Sequence, residues 1–154
     1  MTDAFARPQR SLAELHAASD RLWHEYWMLR CVARVAAHDA ATAYALEESF
    51  ALHLRNLHRF LYAGGESAEL AAEDFLGAAW RANRPEPSAL LVEAVAWAES
   101  KVRPLRYEPA GAPRTWTLLQ ASFELQKVMD PFVSSTPRNM LGARWKIVYE
   151  DVVV

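Results

Sequence analysis

Apolar side chains recur at alternating spacings of three and four through Leu12, Leu15, Leu22, Tyr26, Leu29, Ala33 and Ala36, with Ser19 keeping the register. This is the seam of a helix packed lengthwise on a neighbour. Ser11 followed by Glu14 matches a capping box, so the pattern predicts a helix over 12–38. Trp23 and Trp27, one turn apart, widen its apolar stripe. After His38 and Asp39, Ala43, Leu46, Phe50, Leu54, Leu57 and Leu61 lie within about 40° of one line at 100° per residue. They predict a second helix over 40–62, closed by Gly64 and Gly65. Leu70, Phe75, Leu76 and Trp80 predict a shorter helix over 66–81, and Arg84-Pro85-Glu86-Pro87 a stiff connection. Ser88 is the expected N-cap of a helix over 89–103 whose stripe is Leu91, Val95, Ala98 and Val102, stopped by Pro104. The stretch from Tyr107 to Pro113 reads as a loop. Thr115 then opens a helix to about Met129, with Leu118, Leu125 and Met129 on one line, Trp116, Leu119 and Phe123 beside it, and Asp130-Pro131 at its end.

The pattern changes after that. Ser134, Ser135, Thr136 and Pro137 interrupt the periodicity, and Trp145 to Val154 is rich in β-formers, which predicts an extended tail over 134–154 packed on the bundle or on a partner chain. Residues 1–10, with Pro8 and no periodicity, read as a flexible N-terminal arm, which leaves 11–133 as the helical domain. The fold class expected is all-α, a bundle of four main helices plus a shorter one.

Composition narrows the function classes more than it names one. A chain of 154 residues with 52% hydrophobic and 23% charged side chains can bury a core as one domain. Its formal net charge of −2 supplies no global field for nucleic acid. The single Cys31 rules out an intrachain disulfide and a cysteine zinc site. The start MTDAFARPQR lacks the apolar stretch of a signal peptide, and no run approaches the ~20 apolar residues of a membrane span. A cytoplasmic protein with no membrane partner is the expectation. Six tryptophans and the β-prone C-terminus suggest a homodimer, in which Trp145, Ile147 and Tyr149 would be covered.

Chemistry-bearing motifs are sparse. No Glu-x-x-His or His-x-x-x-His pair is present for a metal, and Glu47 and His58 are three turns apart. No Gly-x-Ser-x-Gly, phosphate loop or dinucleotide fingerprint occurs, so no cofactor is expected. The densest polar cluster is in the second helix: Glu47, Glu48, Ser49, His53, Arg55, Asn56, His58 and Arg59. With Phe50 at zero, a 100° step puts His53 near −60°, Ser49 near −100° and Asn56 near −120°, so these three share one edge beside the core. Arg55, Arg59 and Glu48 project from the opposite face, and a ligand at the edge would meet the loop that follows Pro104.

The run from Glu48 to Tyr62, ESFALHLRNLHRFLY, resembles the signature helix of a group of small uncharacterised bacterial helical proteins, E-S-F-x-x-H-x-R-N-L. Glu73-Asp74-Phe75 and Leu105-Arg106-Tyr107 are similar to two later pieces of that group, so the resemblance spans most of 20–130. The group in turn resembles the HEPN domains, helical bundles many of which are ribonucleases of toxin and defence systems. Active members carry an Arg, often followed by Asn or Asp, with a His four to six residues beyond. Here His58 follows Arg55 after only two intervening residues, and Pro104 stands where the group has a His. The resemblance therefore implies a HEPN-like binding or assembly module, with Glu48, His53, Arg55, Asn56 and His58 as candidate ligand-binding residues and RNA, a nucleotide or a protein as partner. RNA cleavage is its enzymatic alternative, with Arg55 on a phosphate and His53 or His58 as base. A purely structural homodimer is the third reading.

Overall fold

Two reciprocal caps, one aspartate and one serine set the starts of the four main helices. In the computed structural model, which describes residues 8–63, 69–103 and 113–145, the Ser11 hydroxyl accepts from the Glu14 amide while the Glu14 carboxylate accepts from the Ser11 amide, opening α1 at Leu12–Val32. Asp39 accepts from the Thr42 amide at 2.7 Å and opens α2 at Ala40–Tyr62. Ser88 caps α5 at Ala89–Lys101, and Thr117 with Gln120 forms the box that opens α6 at Leu118–Ser135. Between them lie two short helices, α3 at Glu73–Leu76 and α4 at Ala78–Asn83. The described residues form an all-α bundle of four main helices, and none of those helices is long and apolar enough to cross a membrane.

Four elements differ in extent from the sequence pattern. α1 ends at Val32 rather than at 38, because the continuing seam offers only Ala33 and the exposed Ala36, and the link must reverse the chain before the Asp39 cap. The helix expected over 66–81 is broken at Gly77, whose φ of 61° suits glycine alone. α5 stops at Lys101. α6 starts at Leu118, not Thr115, and runs past Pro131 to Ser135, because Phe132, fully buried beyond the proline, holds the last turn in the core. Gly64, Gly65, Pro104, the Leu105-Arg106-Tyr107 match, the start of the loop to Pro113, residues 1–7 of the arm, and Ile147 and Tyr149 lie outside the described residues.

α2 is the central helix and packs against α1, α5 and α6. Its buried side chains are Phe50, Ala51, His53, Leu54, Leu57, Phe60 and Leu61. Phe132 of α6 meets Phe60, Phe75 and Trp80 edge-to-face at centroid distances of 5.0, 5.7 and 5.6 Å, a favoured aromatic geometry. The last carbonyls of α2, which no intrahelical amide reaches, are met by α4 and its exit: Trp80 Nε1 donates to Leu61 at 2.8 Å and Arg84 to Leu61 and Tyr62. Leu119 and Phe123, expected beside the core stripe of α6, are exposed, while Ala121, Ser122 and Val128 are buried in their place.

After α6 the chain crosses α1. Ser134 and Ser135, the start of the expected tail, complete the last turn of α6, and Arg138–Met140 is a 3-10 turn. The Gly142 amide then donates to the buried Ser19 hydroxyl at 2.9 Å, and Trp145 Nε1 donates to the Ser19 carbonyl at 3.0 Å. A side chain at 142 would have its Cβ 2.6 Å from an Asp20 oxygen, so glycine permits this approach. Trp145 stacks on Tyr26 and is 3% exposed. The tryptophan surplus that suggests a dimer is covered within the chain, since Trp80, Trp116 and Trp145 are buried and Trp23, Trp27 and Trp97 half-buried.

Candidate functional site

His53 and Asn56 do share an edge of α2, and α1 faces that edge; residues 104–112, the loop expected against it, lie outside the described residues. Both side chains converge on Oε2 of Glu25: His53 Nδ1 at 2.7 Å and Asn56 Nδ2 at 3.2 Å. Burial alone pushes the Glu25 carboxyl upward. The hydrogen bonds from His53 and Asn56 and the nearby imidazoles of His53 and His24 outweigh it, so Glu25 titrates below the ordinary carboxylate range. An ionised carboxylate only accepts, so His53 Nδ1 carries the proton of that bond, and the neutral ring has its lone pair on Nε2. The ring is packed in, 8% exposed, with His24 edge-on at 6.2 Å.

The outward side of this contact opens into a cleft of about 710 Å³ between α1, α2 and residues 69–74. This is within the size range of small-ligand sites, about 300–1,000 Å³. Arg10, Arg21, Arg55 and Arg59 line it together with Glu14, Glu25, Glu69 and Asp74, around a floor that includes Leu15, Leu22 and Leu57. Four arginines thus face four carboxylates, and most are engaged. Arg59 Nη2 donates to both oxygens of Glu69 at 2.9 and 3.1 Å, and Arg55 pairs with Glu99 of α5 at 3.2 Å. Glu14 belongs to the α1 capping box, and Asp74 accepts from the Ala71 amide at 2.8 Å.

The five sequence candidates therefore separate. Arg55 and Asn56 reach the cleft wall, and His53 stands behind Glu25. Arg55 and Arg59, expected to project together into solvent, are half-buried and tied to opposite neighbours, α5 and Glu69. Glu48 is exposed and does not line the cleft. His58 is also away from it, stacked on Tyr62 at 4.9 Å. Burial depresses the His58 pKa below the usual imidazole value, with Glu99 opposing that shift and Arg84 adding to it.

Glu25 and Arg21, the residues that sequence reasoning missed, both come from α1. Glu25 lies about 60° from Leu22 at 100° per residue, a carboxylate on the shoulder of the seam. That position was the available signal, but matching it to a shoulder histidine on α2 requires the register of the helix pair. Among the described residues no three His, Cys, Asp or Glu side chains gather as a metal ligand set. Comparison with protein-family models, with curated proteins and with solved structures finds no match for this chain.

Proposed function

We propose that the protein is a HEPN-like binding or assembly module that takes its ligand in the cleft between α1 and α2 and does not cleave it. One observation carries this reading: the cleft wall bears Arg55 and Asn56, while both candidate bases are committed elsewhere, His53 behind the Glu25 carboxylate and His58 on Tyr62. General base catalysis needs an imidazole nitrogen within hydrogen-bond reach of the attacking hydroxyl, and the cleft offers polar grip without one.

The ribonuclease alternative has one feature in its favour. A carboxylate on Nδ1 fixes the orientation of a histidine and leaves Nε2 as the nitrogen that can act on a substrate, and Glu25 holds His53 in this way. Incubating wild type and His53→Ala with mixed RNA decides between them, with circular dichroism to verify that the variant folds. The binding module turns over no RNA; cleavage lost in the variant would replace this reading with the nuclease. For assembly, Leu119 and Phe123, one turn apart on α6, and Val92 on the adjoining α5 supply exposed apolar surface that suits a second copy. Light scattering at micromolar concentration is expected to give a dimer mass that falls in Phe123→Lys, and a monomeric mass for wild type would remove the homodimer.

A further inference from the structure

The charge inventory of the cleft says what kind of occupant it takes. Among its charged side chains Arg21 alone has no ionic or hydrogen-bond partner among the described residues, and it is exposed. Glu25, one turn further along α1, already accepts from His53 and Asn56 on Oε2, and Arg55 and Arg59 are held by Glu99 and Glu69. Arg21 is therefore the cation of the cleft that is open to pair with an incoming anion. Ala18 and Leu70, both half-buried, provide apolar wall beside it.

We infer that the occupant is a segment of another protein that carries an acidic side chain for Arg21 next to an apolar side chain for Ala18 and Leu70. The inference rests on the binding reading of the same cleft and specifies its partner. A nucleic acid asks for a different surface. Its phosphates need a run of uncompensated cations, and its unpaired bases need exposed aromatic faces to stack on. Four arginines against four carboxylates leave the cleft without net charge, and Phe60, the aromatic in its lining, is 5% exposed. A polypeptide tolerates that balance, because one carboxylate satisfies Arg21 while its neighbours meet apolar wall and already-paired charges.

The test uses the full chain as bait for a phage-displayed library of random dodecapeptides, with a uridine dodecamer as the nucleic-acid probe. Enriched peptides are expected to share an acidic residue flanked by apolar ones. Their affinity should fall at least about tenfold in Arg21→Glu, the loss of one charge-assisted contact. Because Arg21 is exposed, that variant retains its helical circular dichroism. An empty selection, or peptides that bind wild type and Arg21→Glu equally, would overturn the inference. Retention of the intact uridine dodecamer in an Arg21-dependent manner would also overturn it while leaving the binding module standing. Its cleavage would remove both.

Discussion

The two flanks of α2 are built on different terms. On the inner flank, Phe50, Leu54, Leu57 and Leu61 are at most 1% exposed, and the aromatic group around Phe132 closes the end of the helix. All of these side chains belong to the one packed core, so a change of volume has little room to relax. On the outer flank Asn56, Arg55 and Arg59 contribute through individual partners, Glu25, Glu99 and Glu69, whose side chains keep 29–44% of their surface in solvent. Such pairs can be exchanged for others of the same chemistry. One helix therefore carries the rigidity of the bundle on one side and an adjustable site on the other, and perturbing the two sides should give very different results.

The largest effect is expected from Phe50→Ala. Phe50 is fully buried and lies 6.5 Å from the Trp97 ring, so truncation leaves a cavity bounded by α2 and α5 and destabilises the fold by ~3–5 kcal/mol in urea melts. A loss under 1 kcal/mol would mean that the inner flank can collapse around the gap, and the contrast between the flanks would disappear. Trp145→Ala comes next, at about 3 kcal/mol, because it removes the ring over Tyr26 and the hydrogen bond to the Ser19 carbonyl. It should lower stability without altering the mass in light scattering. Dissociation of a dimer by this substitution would instead place Trp145 at an interface.

Much of the inner flank was legible in the sequence. The spacing of Phe50, Leu54, Leu57 and Leu61 needs only the helical period, and Ser11-Glu14 and Ser88 need only local capping chemistry. The short links and the break at Gly77 were harder, since a glycine declares its positive φ only where tertiary packing demands it. The outer flank was legible in half. The 3.6-residue period put His53 and Asn56 on one edge, yet their meeting point is a carboxylate 28 positions from His53, and nothing local names it. For Arg55, periodicity put the side chain on the face opposite that edge, but it signalled neither its half-buried place in the cleft wall nor its pairing with Glu99, 44 positions away. Partners at such separations depend on the tilt and register of whole helices.

Glu25→Gln sharpens the comparison, because Glu25 sits where the two flanks meet. The substitution keeps the shape and removes the charge that accepts from His53 and Asn56, so a loss of about 1–3 kcal/mol is expected at neutral pH. The folded-state value of Glu25 is lowered, so its contribution is fully present above the ordinary glutamate range and disappears as pH falls through its own depressed value. Thermal melts of wild type should therefore lose stability across that acid window, and those of the variant should be flatter there. Parallel curves would mean that the contact with His53 carries no weight.

His58 gives a smaller effect in a different pH window. Burial favours its neutral form in the folded state, so its folded value lies below the usual ~6.5. Stability from this group is present above that unfolded value and is lost as pH falls from it toward the folded one. His58→Gln should lessen the decline of the melting temperature just below pH ~6.5 while leaving the more acidic Glu25 window in place. If the slope is unchanged, the ring is reached by solvent and the outer flank is looser than its packing on Tyr62 implies.

The smallest effect belongs to Arg59→Ala, and it tests whether the outer flank is adjustable. Arg59 and Glu69 are 2.9 Å apart but keep 41% and 44% of their side-chain surface exposed. At that exposure water screens most of the Coulomb attraction, and holding two long side chains in one geometry offsets much of the remainder, so such pairs contribute about 0–1 kcal/mol. Urea melts of Arg59→Ala should therefore fall within about 1 kcal/mol of wild type, with the difference shrinking further at high salt. Arg59 borders the cleft together with Glu69, so removing it should widen the opening next to Leu70 without disturbing Phe60, which is buried beneath. A loss of several kcal/mol that persists in salt would show that the pair clamps 69–74 onto α2. The cleft would then be a rigid part of the core packing, and the division between a fixed inner flank and an exchangeable outer one would fail at the residue where it should be clearest.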